Sequence, residues 1–329
     1  MTISKKIASA LLVTTALALT AGCSSSGTTA PITTTPTTPT TPVTPVTPVT
    51  PVTPVTPVTP TTPTAPLTFN TLTPGTTVLF TAHAGSELIT FKDGFDLTGT
   101  TAPTASGSIT ATTTGYNITL PGAAGSTTYA VPKAATFSAT SSNPTTNLAG
   151  RFAASTLTYA TYGTWATTSV SGTVQSIGVF AGGVPGGGGA GDRPSEGNAS
   201  YSGKTTGFAS TGAAGRYAVN GNVNLTANYS ANTIAGSVTG VTAQKMANDG
   251  TLGGVALAND ISLSAGKITG ITFVGTARAV DSANAQFAMG GSTGTFGGSF
   301  YGVGAAEAAG SIAMTLPGMN VITSFGVAK

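Results

Sequence analysis

Apolar and polar side chains alternate along much of this chain. The clearest case is 222–229, where Val223, Leu225, Ala227 and Tyr229 fall on one side and Asn222, Asn224, Thr226 and Asn228 on the other. A period of two predicts strands with one buried and one wet face. Ile271, Phe273, Gly275 and Ala277 define a second such face, Ile312, Met314 and Leu316 a third, and Val321, Phe325 and Val327 a fourth. Upstream, strands are predicted over 76–81, 86–92, 107–112, 116–120, 127–131, 157–167 and 174–180. Helical periodicity is nearly absent. Short strands with regular turn signals and many glycines point to an all-β sandwich or barrel with tight curvature.

Two stretches interrupt this pattern. Residues 182–191 include Gly186-Gly187-Gly188-Gly189, which reads as a linker or long loop. It divides a β-rich part, 67–190, from a C-terminal part, 195–329. The second stretch is a proline repeat. From Pro36 to Pro66 every third residue is proline, with six Val-Thr-Pro units between Val43 and Pro60. Proline fixes φ and lacks an amide donor, so helix and sheet are both excluded. The alternative is a polyproline II rod, roughly 95 Å long when fully extended. Residues 23–66 therefore read as a stalk or spacer.

Ahead of the stalk stand Lys5 and Lys6, an apolar run from Ile7 to Leu19, and Thr20-Ala21-Gly22-Cys23. A basic start, a short apolar core and small residues before the cut are the parts of an export signal, here 1–22. The apolar run is short for a membrane span. Cys23 is the only cysteine, and its setting resembles a bacterial lipobox, although Thr20 stands where leucine is commonest. The expectation is a mature N-terminus at Cys23 that carries diacylglycerol and palmitate. The other reading is an ordinary signal followed by one unpaired thiol.

Charge adds little. Charged residues make up 6% of the chain, and without Lys5 and Lys6 ten basic side chains face nine acidic ones. No basic cluster suggests a nucleic-acid partner. Candidate chemistry is sparse as well. His83 is the only histidine, and no Gly-x-Ser-x-Gly turn accompanies it. Asp249, Asp260 and Asp281 lack the close spacing of a calcium loop. No catalytic residue, metal site or cofactor is expected. Glu307 sits among alanines at 305–309. Its structural reading is a carboxylate bonded to backbone amides or an arginine near a barrel mouth. Its functional reading is a ligand contact. Trp165, Tyr159 and Tyr162 read either as internal packing or as interface anchors.

Several C-terminal segments, in order, resemble the transferrin-binding protein B family of surface lipoproteins. They are 197–203, the 222–229 strand with 233–238, and 298–312, which contains Phe300-Tyr301-Gly302, Glu307 and Gly310. The chain then closes in Phe325-Gly326. Residues 157–165 resemble the family's strand before the barrel. The resemblance implies a β-rich handle followed by an eight-stranded antiparallel barrel, as a single lobe. Phe300, Tyr301, Gly302, Glu307, Gly310, Phe325 and Gly326 would then serve the scaffold.

The resemblance also implies an outer-membrane lipoprotein at the cell surface. It would be held in the bilayer through Cys23 and would bind a protein or a metal or haem carrier. Its expected partners are a TonB-dependent receptor and a surface-lipoprotein translocon, in the setting of iron acquisition. Specificity is expected in loops, and 243–254, with Lys245, Met246 and Asp249, is the candidate. A structural or adhesive lipoprotein with no soluble ligand is the alternative. An integral membrane barrel would need an outward apolar band, and the wet strand faces argue against one.

Overall fold

The structure, a computed structural model, describes residues 72–329 apart from 73, 81–85, 93–95, 98–101, 106, 121–126, 135, 141–145, 154–155, 170–173, 185–192, 212–214, 248–250, 282–284 and 317. The signal, Cys23, the proline stalk, His83, Asp249 and the 186–189 glycines lie outside the described residues.

Among the described residues, helices are absent and strands carry all the regular structure. The first eleven are β1 (Thr77–Phe80), β2 (Ser86–Lys92), β3 (Asp96–Leu97), β4 (Ala102–Ala105), β5 (Gly107–Ala111), β6 (Gly115–Leu120), β7 (Thr127–Pro132), β8 (Thr136–Thr140), β9 (Thr146–Phe152), β10 (Ala160–Ser169) and β11 (Val174–Gly183). They form two antiparallel sheets. One has the order β1-β5-β6-β7, and the other runs β3-β2-β11-β10-β9-β8 with β4 beside β2. This pair is the handle. Its core joins Ile109, Tyr116, Ile118 and Val131 of the first sheet to Trp165 and Phe180 of the second.

The remaining strands are β12 (Asn198–Ser210), β13 (Arg216–Asn228), β14 (Thr233–Met246), β15 (Leu252–Leu257), β16 (Ile261–Thr269), β17 (Thr272–Ala279), β18 (Thr293–Tyr301), β19 (Glu307–Leu316) and β20 (Met319–Ala328). They pair in the order β13-β12-β20-β19-β18-β17-β16-β14, and a β13–β14 ladder closes the ring. This is an eight-stranded antiparallel barrel. β15 is no ninth stave. It pairs with residues 242–246 of β14, while β16 pairs with 233–238 of the same strand. The two are successive lengths of one stave, interrupted at 258–260. Buried Asn259 holds the break. Its Nδ2 donates to the Val280 carbonyl at 2.9 Å, and its Oδ1 accepts from the Met289 amide at 2.6 Å.

The barrel interior is packed with side chains. Phe273 lies 5.2 Å from Phe300, 6.2 Å from Phe296 and 6.4 Å from Phe325, measured between ring centroids. Glycines make room for these rings. A Cβ on Gly298 would stand 2.7 Å from Phe273 Cζ, and one on Gly310 would stand 2.8 Å from Phe325 Cζ. Outward positions on β16 and β17 are exposed and mainly polar, among them Lys267, Thr272, Thr276 and Arg278. An apolar inside with a wet outside is the reverse of a lipid-facing barrel.

β10 and β11 form the middle of three layers. Trp165 and Phe180 face the first handle sheet, while Tyr162, Ile177, Val179 and Ala181 face the barrel. On the barrel side, Phe208, Ala313 and Ile322 meet Ile177 and Val179, and Tyr301 and Ala309 meet Leu157 and Tyr162. The outer faces of β18 from Phe296 on and of most of β19 and β20 are therefore covered, and these stretches are buried on both sides. β13 and β17, away from the handle, alternate.

The ladder bonds of the barrel are all internal to it. A fragment covering 193–329 is therefore expected to melt cooperatively. It should also bind an apolar dye that the handle-bearing chain does not, because Phe208, Ala313 and Ile322 lose their cover. A fragment without a cooperative melt would mean that handle and barrel share one folding unit.

Candidate ligand-binding surface

Glu307 opens β19 at the end of the barrel where the handle arrives. Its Oε1 accepts the Thr158 amide at 2.6 Å, and its Oε2 accepts those of Tyr159 and Ala160, each at 2.8 Å. Three consecutive amides entering β10 thus converge on one buried carboxylate, which replaces the hydration that burial removes. Ser324 Oγ adds a bond to the Gly163 carbonyl at 2.9 Å.

The surrounding motif residues fit the aromatic side chains of the same junction. Gly302 has φ +73°, a conformation L side chains rarely adopt, and an added Cβ would meet the Tyr159 ring at 2.3 Å. A Cβ on Gly326 would stand 2.5 Å from both Leu157 and Tyr162. Tyr301 packs against handle residues, while Phe300 and Phe325 point into the barrel. Tyr162 and Tyr159 are therefore handle–barrel packing residues. Trp165 belongs to the handle's own core instead.

Burial raises the Tyr162 and Tyr301 hydroxyls from 10.0 to about 12. The folded junction holds the neutral phenols, so this stability is fully present below pH 10.0 and is lost as pH rises towards about 12. Thermal melts stepped across that window are expected to fall. A melting temperature flat through it would show that neither phenol is linked to folding.

The handle end of the barrel is closed by Tyr201 and Tyr229, whose hydroxyls bond to each other. Tyr201 also donates to the Ala305 carbonyl at 2.7 Å. The Lys329 ammonium lies 5.8 Å from the centroid of the Tyr201 ring, and the Arg193 guanidinium lies 5.4 Å from that of Tyr229. Burial raises both phenols and lowers Lys329. Beside the handle an open groove of about 380 Å³ runs across β12–β14. Tyr162, Lys204, Asn220 and Asn222 line it, and the Lys204 ammonium bonds to Asn222 Oδ1.

The far end carries the candidate specificity segment. Most of 243–254 is not a loop. Lys245 and Met246 are the last residues of β14, where Lys245 pairs with Tyr217 and Met246 with both Arg216 and Leu252. Lys245 is exposed, whereas Met246 packs against the Ile177–Phe208 cluster under the handle. β14 ends at Met246 and β15 begins at Leu252, so strand takes up 243–246 and 252–254 of the segment. The segment lengthens a hairpin because Gln244 and Val255 continue the ladder. Glycine at 253 and 254 absorbs a bulge there, and composition alone made that bulge look like loop. Among the described residues, no three His, Cys, Asp or Glu side chains come together as a metal site.

Residues 193–329 match the family described as the C-lobe and N-lobe beta barrels of Tf-binding protein B. They form a barrel similar to those of the transferrin-binding protein B family. That family is one of binding proteins. The fold is similar to a transferrin-binding protein B mutant from Haemophilus parasuis, at 16% identity and a TM-score of 0.47, covering 76% of this chain and 44% of that one. It is also similar to transferrin-binding protein B from serogroup B Neisseria meningitidis, at 18% identity and a TM-score of 0.40, covering 76% and 43%. A third is the N-lobe of lactoferrin-binding protein B from Moraxella bovis, at 15% identity and a TM-score of 0.33, covering 54% and 78%. The chain spans under half the length of the two transferrin-binding proteins. No curated protein sequence matches it. Within the family barrel, the motif residues Gly302, Glu307 and Gly326 are those that seat the handle.

Proposed function

We propose that this chain is an exported lipoprotein, anchored in the outer membrane through acylated Cys23, that displays one handle-and-barrel lobe at the cell surface to bind a protein ligand. The match of 193–329 to a family of ligand-binding barrels carries the reading. The filled interior supports a binder rather than an enzyme, because it leaves outer faces and strand ends for recognition. A metal or haem carrier is the proposed ligand class. A TonB-dependent receptor and a surface-lipoprotein translocon are the proposed partners in the membrane.

Two measurements test this. Cys23→Ser is expected to abolish palmitate labelling and release the chain from the outer-membrane fraction. Membrane retention of that variant would overturn the anchor. The immobilised chain is expected to retain a metal- or haem-carrying protein when offered purified transferrin, lactoferrin and haemoglobin in turn. Retention of none by a folded chain would favour a structural or adhesive lipoprotein.

A further inference from the structure

A closed barrel removes sheet edges, yet the broken stave leaves one open. β17 follows β16 and then departs after the Val280 amide bonds to the Asp260 carbonyl. Beyond that point, among the described residues, no strand flanks β15 opposite β14, and only 286–287 reaches its outer side, at Leu257 and through a parallel bridge of Phe287 to Ala258. The direction of its backbone groups follows from the ladder. The Ala258 amide donates to Val241 on β14 at 2.8 Å, so Ala256 also faces β14 while Val255 and Leu257 face away. The Leu257 carbonyl confirms the outward side by accepting the Gln286 and Phe287 amides at 2.7 and 2.9 Å. Among the described residues that leaves the Val255 N–H and C=O and the Leu257 N–H without a partner. Their side chains are 62% and 51% exposed, and Leu252 is 47% exposed. Natural proteins blunt such edges with charge or proline, and β15 carries neither.

We propose that the free edge of β15 receives an extended segment of the bound protein as an added strand. The segment would bond to Val255 and the Leu257 amide and lay β-branched or aromatic side chains beside Val255 and Leu257. This rests on the reading of the chain as a protein-binding lobe. A second copy of the chain fits the edge poorly. Antiparallel self-pairing centred on Val255 would set Leu257 opposite Gly253 of the second copy. The Leu257 amide would then need the Gly253 carbonyl of the second copy, which already accepts Gln244 Nε2 at 3.3 Å. The strand is also only six residues long, roughly 20 Å. It therefore buries far less than the ~800 Å² per partner of a standard stable interface. A ligand that also touches the lobe elsewhere does not depend on this strip alone.

The test follows amide exchange of the full-length chain. The probe is a capped seven-residue peptide of alternating threonine and valine with terminal lysines. At saturating peptide, exchange at Val255 and Leu257 is expected to slow by about tenfold or more, and a fully N-methylated peptide should have no effect. Unchanged exchange, or equal slowing by the methylated peptide, would overturn the proposal. Slowing that appears with rising protein concentration and no peptide would overturn the choice of occupant in favour of a second copy. Val255→Pro removes an outward N–H, which an edge position tolerates. It is expected to melt with the unaltered chain and lose the protection at Leu257. If the proline variant still retained a carrier protein as the unaltered chain does, the binding reading would stand and the edge would not be its site.

Discussion

Glu307→Ala is expected to destabilise the chain by about 3–5 kcal/mol. The variant leaves the buried amide of Ala160 and the part-buried amides of Thr158 and Tyr159 without their acceptor, and a buried donor left unpaired costs about 1–3 kcal/mol. Some relief comes from water entering the space. Glu307→Gln keeps one acceptor oxygen and turns an NH₂ towards donors, so it should lose less than the alanine variant but more than a surface change. The effect should be local first. Amide exchange at 158–160 should speed up before the barrel ladder does, because the carboxylate joins handle to barrel. Denaturant titration with site-resolved exchange reads both. A loss below about 0.5 kcal/mol, the range of an ordinary surface substitution, would show that the carboxylate is not a structural clasp.

Phe273→Ala comes next in size, at about 3–5 kcal/mol. Phe273 is fully buried and touches Phe296, Phe300 and Phe325, so its removal strips contacts from three rings at once. The barrel wall cannot collapse into the space, because every stave is fixed by two ladders. Denaturant unfolding should show a lower midpoint with an unchanged slope. An unaltered midpoint would mean that the interior repacks freely, against the close fit of the rings over Gly298 and Gly310.

The handle-facing strands show why the sequence could be read in part only. β13 and β17 were legible because one face is wet, and alternation marks each residue's side. The length of β12 and of β18–β20 was hidden. Their outer faces pack under β10 and β11, so alternation disappears where both sides are dry. β8 and β9 went unread, as did the division of one stave into β15 and β16, which depends on Asn259 reaching Val280 and Met289. The scaffold motif around Glu307 was legible as a carboxylate that needed backbone amides or an arginine, with a ligand contact as the other reading. Which amides these were was not, since they lie almost 150 residues earlier in the chain.

By itself the sequence determined the all-β class, strands with one wet face and a proline-spaced segment, which follow from side-chain period and from residues with fixed backbone demands that act locally. The choice of a barrel over a sandwich and the expectation of a lipid anchor rested on resemblance to known proteins. Tertiary structure alone decided which faces the handle covers, that Lys245 and Met246 belong to a strand, that Met246 is packed beneath the handle, and that β15 keeps a bare edge. These depend on which elements meet across long separations, and no local pattern of residues encodes that.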